Sequence, residues 1–483
     1  MTKLKRVLAG TMCLTMAGSM LTACGDSSSS SGSAADVAPV EQKKEGSEDS
    51  KNTIKIYVWN QEFQGLFRRY YPEYDAEKSG YDTTKNEKTG TGDDFLKDGK
   101  KVVWVVNENQ GNNYQDKLDD ALKKQADSDD KVDMFLIEAD YALKYVNSGY
   151  TQPLKDIGIT DDDTKEMYQY TKDVATATDG TLRAVSWQAT PGLFAYRRDI
   201  AKEVLGTDDP AKVQEALADW DKFNDVAKKM KDKGYFMLSG YDDSYRTFSN
   251  NMSKPWVEND TIQVDDMLMK WVDQTKDFTD NGYNNKTSLW DDTWSADQGP
   301  SGKVFGFFYS TWGINFTLKG NSLEKSVDDG GKEEVGNGIY GQYAVCEGPA
   351  AYFWGGTWLC CATGSDNTDT VADIMKKMTC DGDIATNITK DTQDYTNNKS
   401  AMDAIASSDY ASDFLGGQNH IALFAAAAPN IKMDKTTSYD QGLNEKFQAA
   451  FKDYFNGNAT KDEALENFYK AAIELYPNLK KPS

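Results

Sequence analysis

Three short stretches combine aromatic rings with carboxylates or amides. They are Trp59-Asn60-Gln61-Glu62, Glu138-Ala139-Asp140-Tyr141, and Trp312 in Thr311-Trp312-Gly313. Carboxylates and amides grip hydroxyl groups through strong hydrogen bonds, and a tryptophan face covers weakly polar C–H surface while keeping one N–H to donate. Together these residue types suit a polyhydroxylated ring such as a sugar. The same carboxylates permit a second chemistry, because glycoside hydrolysis needs only two of them and the chain has 77 acidic residues. Nucleophilic catalysis is poorly supplied. His420, the single histidine, lies close to an alanine run, where a histidine is a structural residue, and no G-x-S-x-G sequence occurs. No catalytic residue is therefore assigned. The phosphate-cradling G-x-x-x-x-G-K-[ST] loop is also missing, so ATP hydrolysis would belong to another subunit. Neither a metal nor a cofactor is expected: of Cys346, Cys360, Cys361 and Cys380, the adjacent pair does not match a metal-ligand spacing. A disulfide involving Cys380 and buried free thiols both remain open.

Elements must carry these residues. Ile54, Ile56 and Val58 alternate as a strand should, and 101–106 and 132–137 are further apolar, β-branched runs of strand length. Between the latter two, Tyr114, Leu118, Ala121 and Leu122 recur at helical spacing, so strand, helix and strand follow in order. This pattern predicts an α/β fold with a parallel sheet. Further helices are expected at 211–232, 371–378 and 462–475, and a strand at 304–309 precedes Trp312. In open α/β sheets ligands bind beyond the carboxyl ends of the strands, which is where the three aromatic stretches fall.

The chain has 483 residues, and its first 23 have the parts of a secretory signal. Lys3, Lys5 and Arg6 precede an apolar stretch from Val7 to Leu21, too short for a lasting membrane span. The end of this segment, Leu21-Thr22-Ala23-Cys24-Gly25, resembles the lipobox of bacterial lipoproteins. That resemblance implies a diacylglyceryl group on Cys24 and a chain held on the extracellular face of the cell membrane by its lipid anchor alone. Residues 24–52 then form a flexible tether, since 27–52 are almost without apolar side chains. Removing residues 1–23 leaves 51 basic against 77 acidic residues, a net charge of −26, which repels phosphate backbones and argues against nucleic acid as a partner. The remaining 460 residues exceed what one core usually supports, so two domains are expected.

The ordered segments resemble the family 1 extracellular solute-binding proteins of ATP-driven carbohydrate importers, the family that includes maltose-binding protein. Gly180 to Gln188, running into Leu193-Phe194-Ala195-Tyr196-Arg197-Arg198-Asp199, is similar to the family's crossover strand and its YRKD element. Val132-Asp133-Met134-Phe135 is similar to the PDV strand, and Gly355-Gly356-Thr357-Trp358 with 365–378 to the second crossover and its helix. The resemblance runs from residue 53 to 479. It implies a type II periplasmic-binding-protein-like fold: two lobes, each a mainly parallel sheet flanked by helices, joined by a hinge that the chain crosses more than once. One lobe would comprise 53–190 with 354–410, the other 191–353 with 411–483. The ligand would lie in the cleft between them, and hinge closure would report occupancy to the permease subunits of an ABC transporter. A monomer is implied.

Carried over position by position, the resemblance assigns ligand contacts to Glu62, Asp140 and the nearby Glu138, and stacking to Trp312. It places Asp243, Tyr245 and Arg246 in a region holding an acidic and aromatic pair. Trp187 and Gln188 fall at the first crossover, Trp354 and Gly355 at the second, as ligand contacts or hinge packing. Trp256, Trp290 and Trp294 would either extend the surface for an oligosaccharide or pack locally, and Trp59 would be buried. The implied function is capture of a carbohydrate for import, without enzymatic activity. A surface glycoside hydrolase and a receptor for a peptide or polyamine remain open beside it.

Overall fold

The computed structural model describes residues 38–89 and 92–482, so the signal segment, Cys24 and the start of the tether lie outside the described residues. The chain forms two compact units, Gly32–Ala189 with Gly355–Ala404 and Thr190–Trp354 with Ile405–Ser483. Trp354 thus belongs to the second unit, whereas the sequence reading placed it in the first lobe.

In the first unit a six-stranded sheet runs in the order Asp94–Phe95, Lys101–Val106, Thr53–Val58, Met134–Glu138, Thr357–Cys361, Ala184–Ser186. Thr53–Val58 pairs in parallel with both neighbours, and the helix Asn113–Lys124 links two of the parallel strands, as the apolar spacing predicted. The two strands at the far side join antiparallel, because Thr357–Cys361 re-enters the unit from the opposite end. Ile54, Ile56 and Val58 point into a core that also holds Leu359, Ile374 and Met375. The helix Glu62–Tyr70 buries Phe63, Leu66 and Phe67, an i, i+3, i+4 stripe that fixes the direction of its first residue.

The second unit has Gly192–Arg197 at the centre of a three-stranded sheet, antiparallel to both Gly306–Ser310 and Tyr343–Cys346. Parallel pairing among the described residues of this unit comprises Leu238–Gly240 with Asn284–Thr287 and the Phe236–Val304 and Thr261–Lys480 bridges, so the expectation of a mainly parallel sheet holds less well here. A second aromatic core, including Trp256, Trp271, Phe447, Phe451 and Phe468, is walled by helices Asp266–Asn281, Asp440–Phe455 and Lys461–Leu475. The expected helix over 211–232 is two, Pro210–Leu217 and Trp220–Asp232, because the Asp219 carboxylate accepts from the Lys222 N–H at 2.8 Å and restarts the helix.

The tether needs correction. From residue 38 onward the polar segment is bonded to the first unit: Val40 N–H donates to Gly149 O, Lys43 N–H to Ala126 O, and Ser47 N–H to Asp129 O. Ser50 is buried, donates to Asp366 Oδ2 at 2.8 Å and accepts from Lys131 N–H at 3.1 Å. Composition counts apolar side chains, and this segment docks through its backbone, the Ser50 hydroxyl and the polar side chains of Gln42, Lys43 and Lys44, which meet Lys131, Asp127 and Asp129, so composition missed it.

One buried carboxylate ties the sheet edge to the helix Glu62–Tyr70. Asp94, 1% exposed, accepts from Arg68 Nη2 at 2.8 Å, Lys88 Nζ at 2.7 Å, Tyr74 Oη at 2.9 Å and Trp104 Nε1 at 2.8 Å. Burial alone would raise its pKa, but hydrogen bonds and charge from Arg68 and Lys88 hold it below the usual aspartate range. Asp94→Ala would leave two largely buried cations without their anion, a loss of about 3 kcal/mol. Urea unfolding followed by far-UV circular dichroism measures it, and a loss below about 1 kcal/mol would show that the network contributes little.

Candidate functional site

Each unit presents its own cluster. On the first, Gln188 is almost fully buried and its amide Nε2 donates to two carboxylates, Glu62 Oε1 at 3.0 Å and Asp394 Oδ2 at 2.9 Å. The strand-end segment around Gln188 is held by Ser186 Oγ, which accepts from Gln188 N–H, and by Asn397 N–H, which donates to Trp187 O. Asp394 follows the helix Gly382–Thr392, whose end is turned by Gln393 in the left-handed region, and its other oxygen accepts from Tyr395 N–H at 2.8 Å. Glu62 begins its helix with Asn60 Oδ1 accepting its N–H.

The Glu62 side chain keeps an exposed edge, yet protein crowds around it. Desolvation first, then the charge of Asp394, pushes its carboxyl up to about 8, and the Gln188 hydrogen bond opposes the rise.

The second unit carries an aromatic cluster. Trp312 sits just past the strand Gly306–Ser310, in a turn that runs into the π-helical segment Ile314–Leu318. Its ring is half-buried, and its Nε1 donates to Trp354 O at 2.8 Å. Trp354 lies 5.1 Å from Trp312 between centroids and stacks on Tyr309 at 5.9 Å and 9°. Trp290, also half-buried, is 6.2 Å from Trp312 with planes 22° apart, and Trp294 packs beneath it at 5.3 Å.

Several sequence-assigned residues have other work. Trp187 is core, packed on Phe63 at 5.1 Å, the packing role that the sequence weighed against contact. Glu138 caps the turn Ala139–Tyr141, its Oε2 accepting from Asp140 N–H at 2.8 Å, and both carboxylates are half-buried. Asp243 is not a free ligand contact. Its Oδ2 accepts from Ser239 and Gly240 N–H, both at 2.8 Å, and its Oδ1 accepts from Trp294 Nε1 at 3.0 Å, so it positions the aromatic cluster. Burial pushes its carboxyl up to about 6 against those hydrogen bonds. Tyr245 is core, its ring 4.8 Å from Trp271 and its hydroxyl donating to Asn444. Arg246 is half-buried on the short helix Tyr245–Ser249. Trp256 is fully buried, and Trp59 lies half-buried against Tyr114. Gly355 begins the re-entry into the first unit with φ 78°, a conformation that glycine adopts without cost.

Sequence reasoning missed Asp394, which stands in the polar run Thr392-Gln393-Asp394-Tyr395 with no strand end or aromatic motif to mark it. All four cysteines within the described residues are free thiols, three of them buried. His420 is buried between Tyr410 and Phe424 rings, as its setting predicted. A cavity of about 260 Å³ on the first unit, lined by Glu73, Asp98, Asp369 and Asp373 among others, includes none of the sequence-assigned residues.

The raised Glu62 value has a defined sign. It stabilises the folded chain at low pH relative to an unfolded chain whose glutamate ionises near about 4.3, and this contribution is lost as pH rises through about 8. Glu62→Gln removes the titration. Its melting temperature relative to that of the native chain is expected to climb between about pH 5 and about pH 9; a difference independent of pH would place Glu62 in the ordinary range.

A family profile described as bacterial extracellular solute-binding protein matches residues 91–414. Among curated proteins, none matches the chain. Solved structures share its fold. A family 1 extracellular solute-binding protein superposes with a TM-score of 0.67 at 16% identity, covering 87% of this chain and 99% of that one. The ABC transporter associated binding protein from B. animalis subsp. lactis, in complex with β-1,6-galactobiose, gives 0.63 at 16% identity, covering 89% and 100%. The GacH receptor of Streptomyces glaucescens, determined unliganded and with acarbose, gives 0.58 at 16% identity, covering 89% and 99%. With the profile spanning well over half of its length, the chain belongs to the bacterial extracellular solute-binding protein family.

Proposed function

We propose that this protein is a carbohydrate receptor that delivers its ligand to the permease subunits of an ABC importer and is held at the outer face of the cell membrane through a lipid on Cys24. The observation that carries the reading is the half-buried Trp312 ring, fastened by its N–H to Trp354 O on a cluster of further tryptophans. A rigid indole with one face accessible is what the C–H face of a pyranose packs against. The Glu62–Gln188–Asp394 set adds donors and acceptors of the kind that hold hydroxyl groups. Structural relatives determined with galactobiose and acarbose support the same ligand class.

Titrating a panel of mono- and oligosaccharides while following tryptophan fluorescence and melting temperature tests the reading. At least one sugar should shift both signals, and a chain that responds only to peptides or polyamines would refute it. Trp312→Ala should weaken the best ligand by about 1–3 kcal/mol, the scale of lost stacking and apolar burial, and leave the fold intact. An unchanged dissociation constant by calorimetry would remove Trp312 from the binding surface. For the anchor, Cys24→Ala should move the protein from the detergent phase to the aqueous phase in a Triton X-114 separation.

A further inference from the structure

The polar segment before the first strand lies in a seat shaped to receive it. Val40 N–H donates to Gly149 O at 2.9 Å, and the Lys43 and Lys44 N–H groups share Ala126 O at 2.9 and 3.0 Å. Asn367, buried, donates its amide to Ser50 O at 3.0 Å and to Thr53 O at 3.1 Å, which ties the end of the segment to the start of the sheet. Glycine makes the close approach possible on both sides. A Cβ at Gly149 would collide with Ala38 O, and one at Gly46 would collide with the Asp366 carboxylate that Ser50 Oγ holds at 2.8 Å. Neither position tolerates a side chain while the segment is docked.

The seat lies at the amino ends of the first unit's parallel strands. Lys101 N–H, at the start of its strand, donates to Asn52 O at 3.0 Å, and Asp129 and Lys131 precede the strand Met134–Glu138. Thr151, two residues past Gly149, bridges Ala362 just beyond the antiparallel strand Thr357–Cys361, which ends on the same side. Glu62 and Gln188 follow the carboxyl ends of Thr53–Val58 and Ala184–Ser186, at the opposite end of the sheet. Docking also changes the length of chain between the receptor and Cys24. Ala38 stands 14 residues after Cys24, and Thr53 stands 29 after it. Fully extended backbone covers at most about 3.6 Å per residue, so the reach is about 50 Å with the segment docked and about 100 Å with it free.

We propose that residues 38–52 are a clasp that takes in half of the tether, holding the first unit near its lipid by the end of the sheet that faces away from Glu62 and Gln188. This rests on the lipid-anchor part of the reading above. Hydrogen–deuterium exchange on the full lipidated chain, native and with Gly46→Val or Gly149→Val, tests the clasp from both of its sides. The amides of Val40, Lys43, Lys44 and Ser47 should exchange at least about tenfold more slowly in the native chain than in either variant. Gly46→Val alters the segment alone and guards against a Gly149 variant that folds poorly. Energy transfer in phosphatidylcholine vesicles, from a fluorophore at the exposed Lys123 on the helix Asn113–Lys124 to labelled headgroups, reads the reach. It should fall by about half when the clasp is open. Fast exchange of these amides in the native chain, protection kept in both variants, or transfer unchanged where protection is lost each overturns the clasp. A chain that does not associate with vesicles overturns the lipid anchor and the reach together, and its protected amides tell that result apart from a failed clasp.

Discussion

An indole can be buried cheaply only where its single N–H meets an acceptor, and that constraint organises the aromatic surface of the second unit. Trp294 reaches Asp243, whose other oxygen is fixed by two backbone N–H groups. Trp312 reaches the carbonyl of Trp354, whose ring in turn lies flat on Tyr309. Each ring's orientation is therefore set by a directed bond as well as by packing, and the two buried rings give Trp290 and Trp312 a rigid bed. Trp271 shows the alternative: its N–H meets no partner among the described residues, and ring contacts with Tyr245, Phe447 and Phe455 compensate.

The first unit solves a different problem. Two carboxylates approach one amide, and desolvation first, then the charge of Asp394, shifts the Glu62 carboxyl upward. Gln188 supplies both of its amide hydrogens, one to each acid. Asp94 shows the opposite outcome a short distance along the same helix and sheet edge, where Arg68 and Lys88 hold a carboxylate ionised.

Much of the fold was legible because periodicity reports burial. The alternation at Ile54, Ile56 and Val58, and the helical spacing at Leu465, Phe468 and Tyr469, map directly onto one-sided cores. The polar site was less legible. Glu62 and Gln188 stand 126 residues apart and Asp394 a further 206 along, and no local pattern links groups that meet only through folding. Asp243 was marked as polar and near aromatics, which is true, but its oxygens serve backbone N–H groups and Trp294, a commitment that residue type does not encode. The docked segment from residue 38 escaped for a related reason: it is held by backbone, which every residue carries alike, and by polar side chains that signal no burial.

Chain crossing and aromatic surface meet in one residue. Trp354 is the last residue of the second unit before the chain returns to the first, and Gly355 and Gly356 follow with φ 78° and 102°. Its N–H donates to Thr190 O at 3.2 Å, and Thr190 is itself the first residue of the second unit and lies at φ 43°. Two of the three connections thus pass through left-handed backbone that is pinned together on the second unit's side; the third runs from Ala404 to Ile405. The same Trp354 carbonyl accepts from the Trp312 indole, so the residue that ends the second unit's segment also fastens the Trp312 ring. Gly355 and Gly356 adopt left-handed backbone directly after that bond, a conformation that a residue with a side chain would reach only with strain, so the turn into the first unit depends on glycine just past the carbonyl that fixes Trp312.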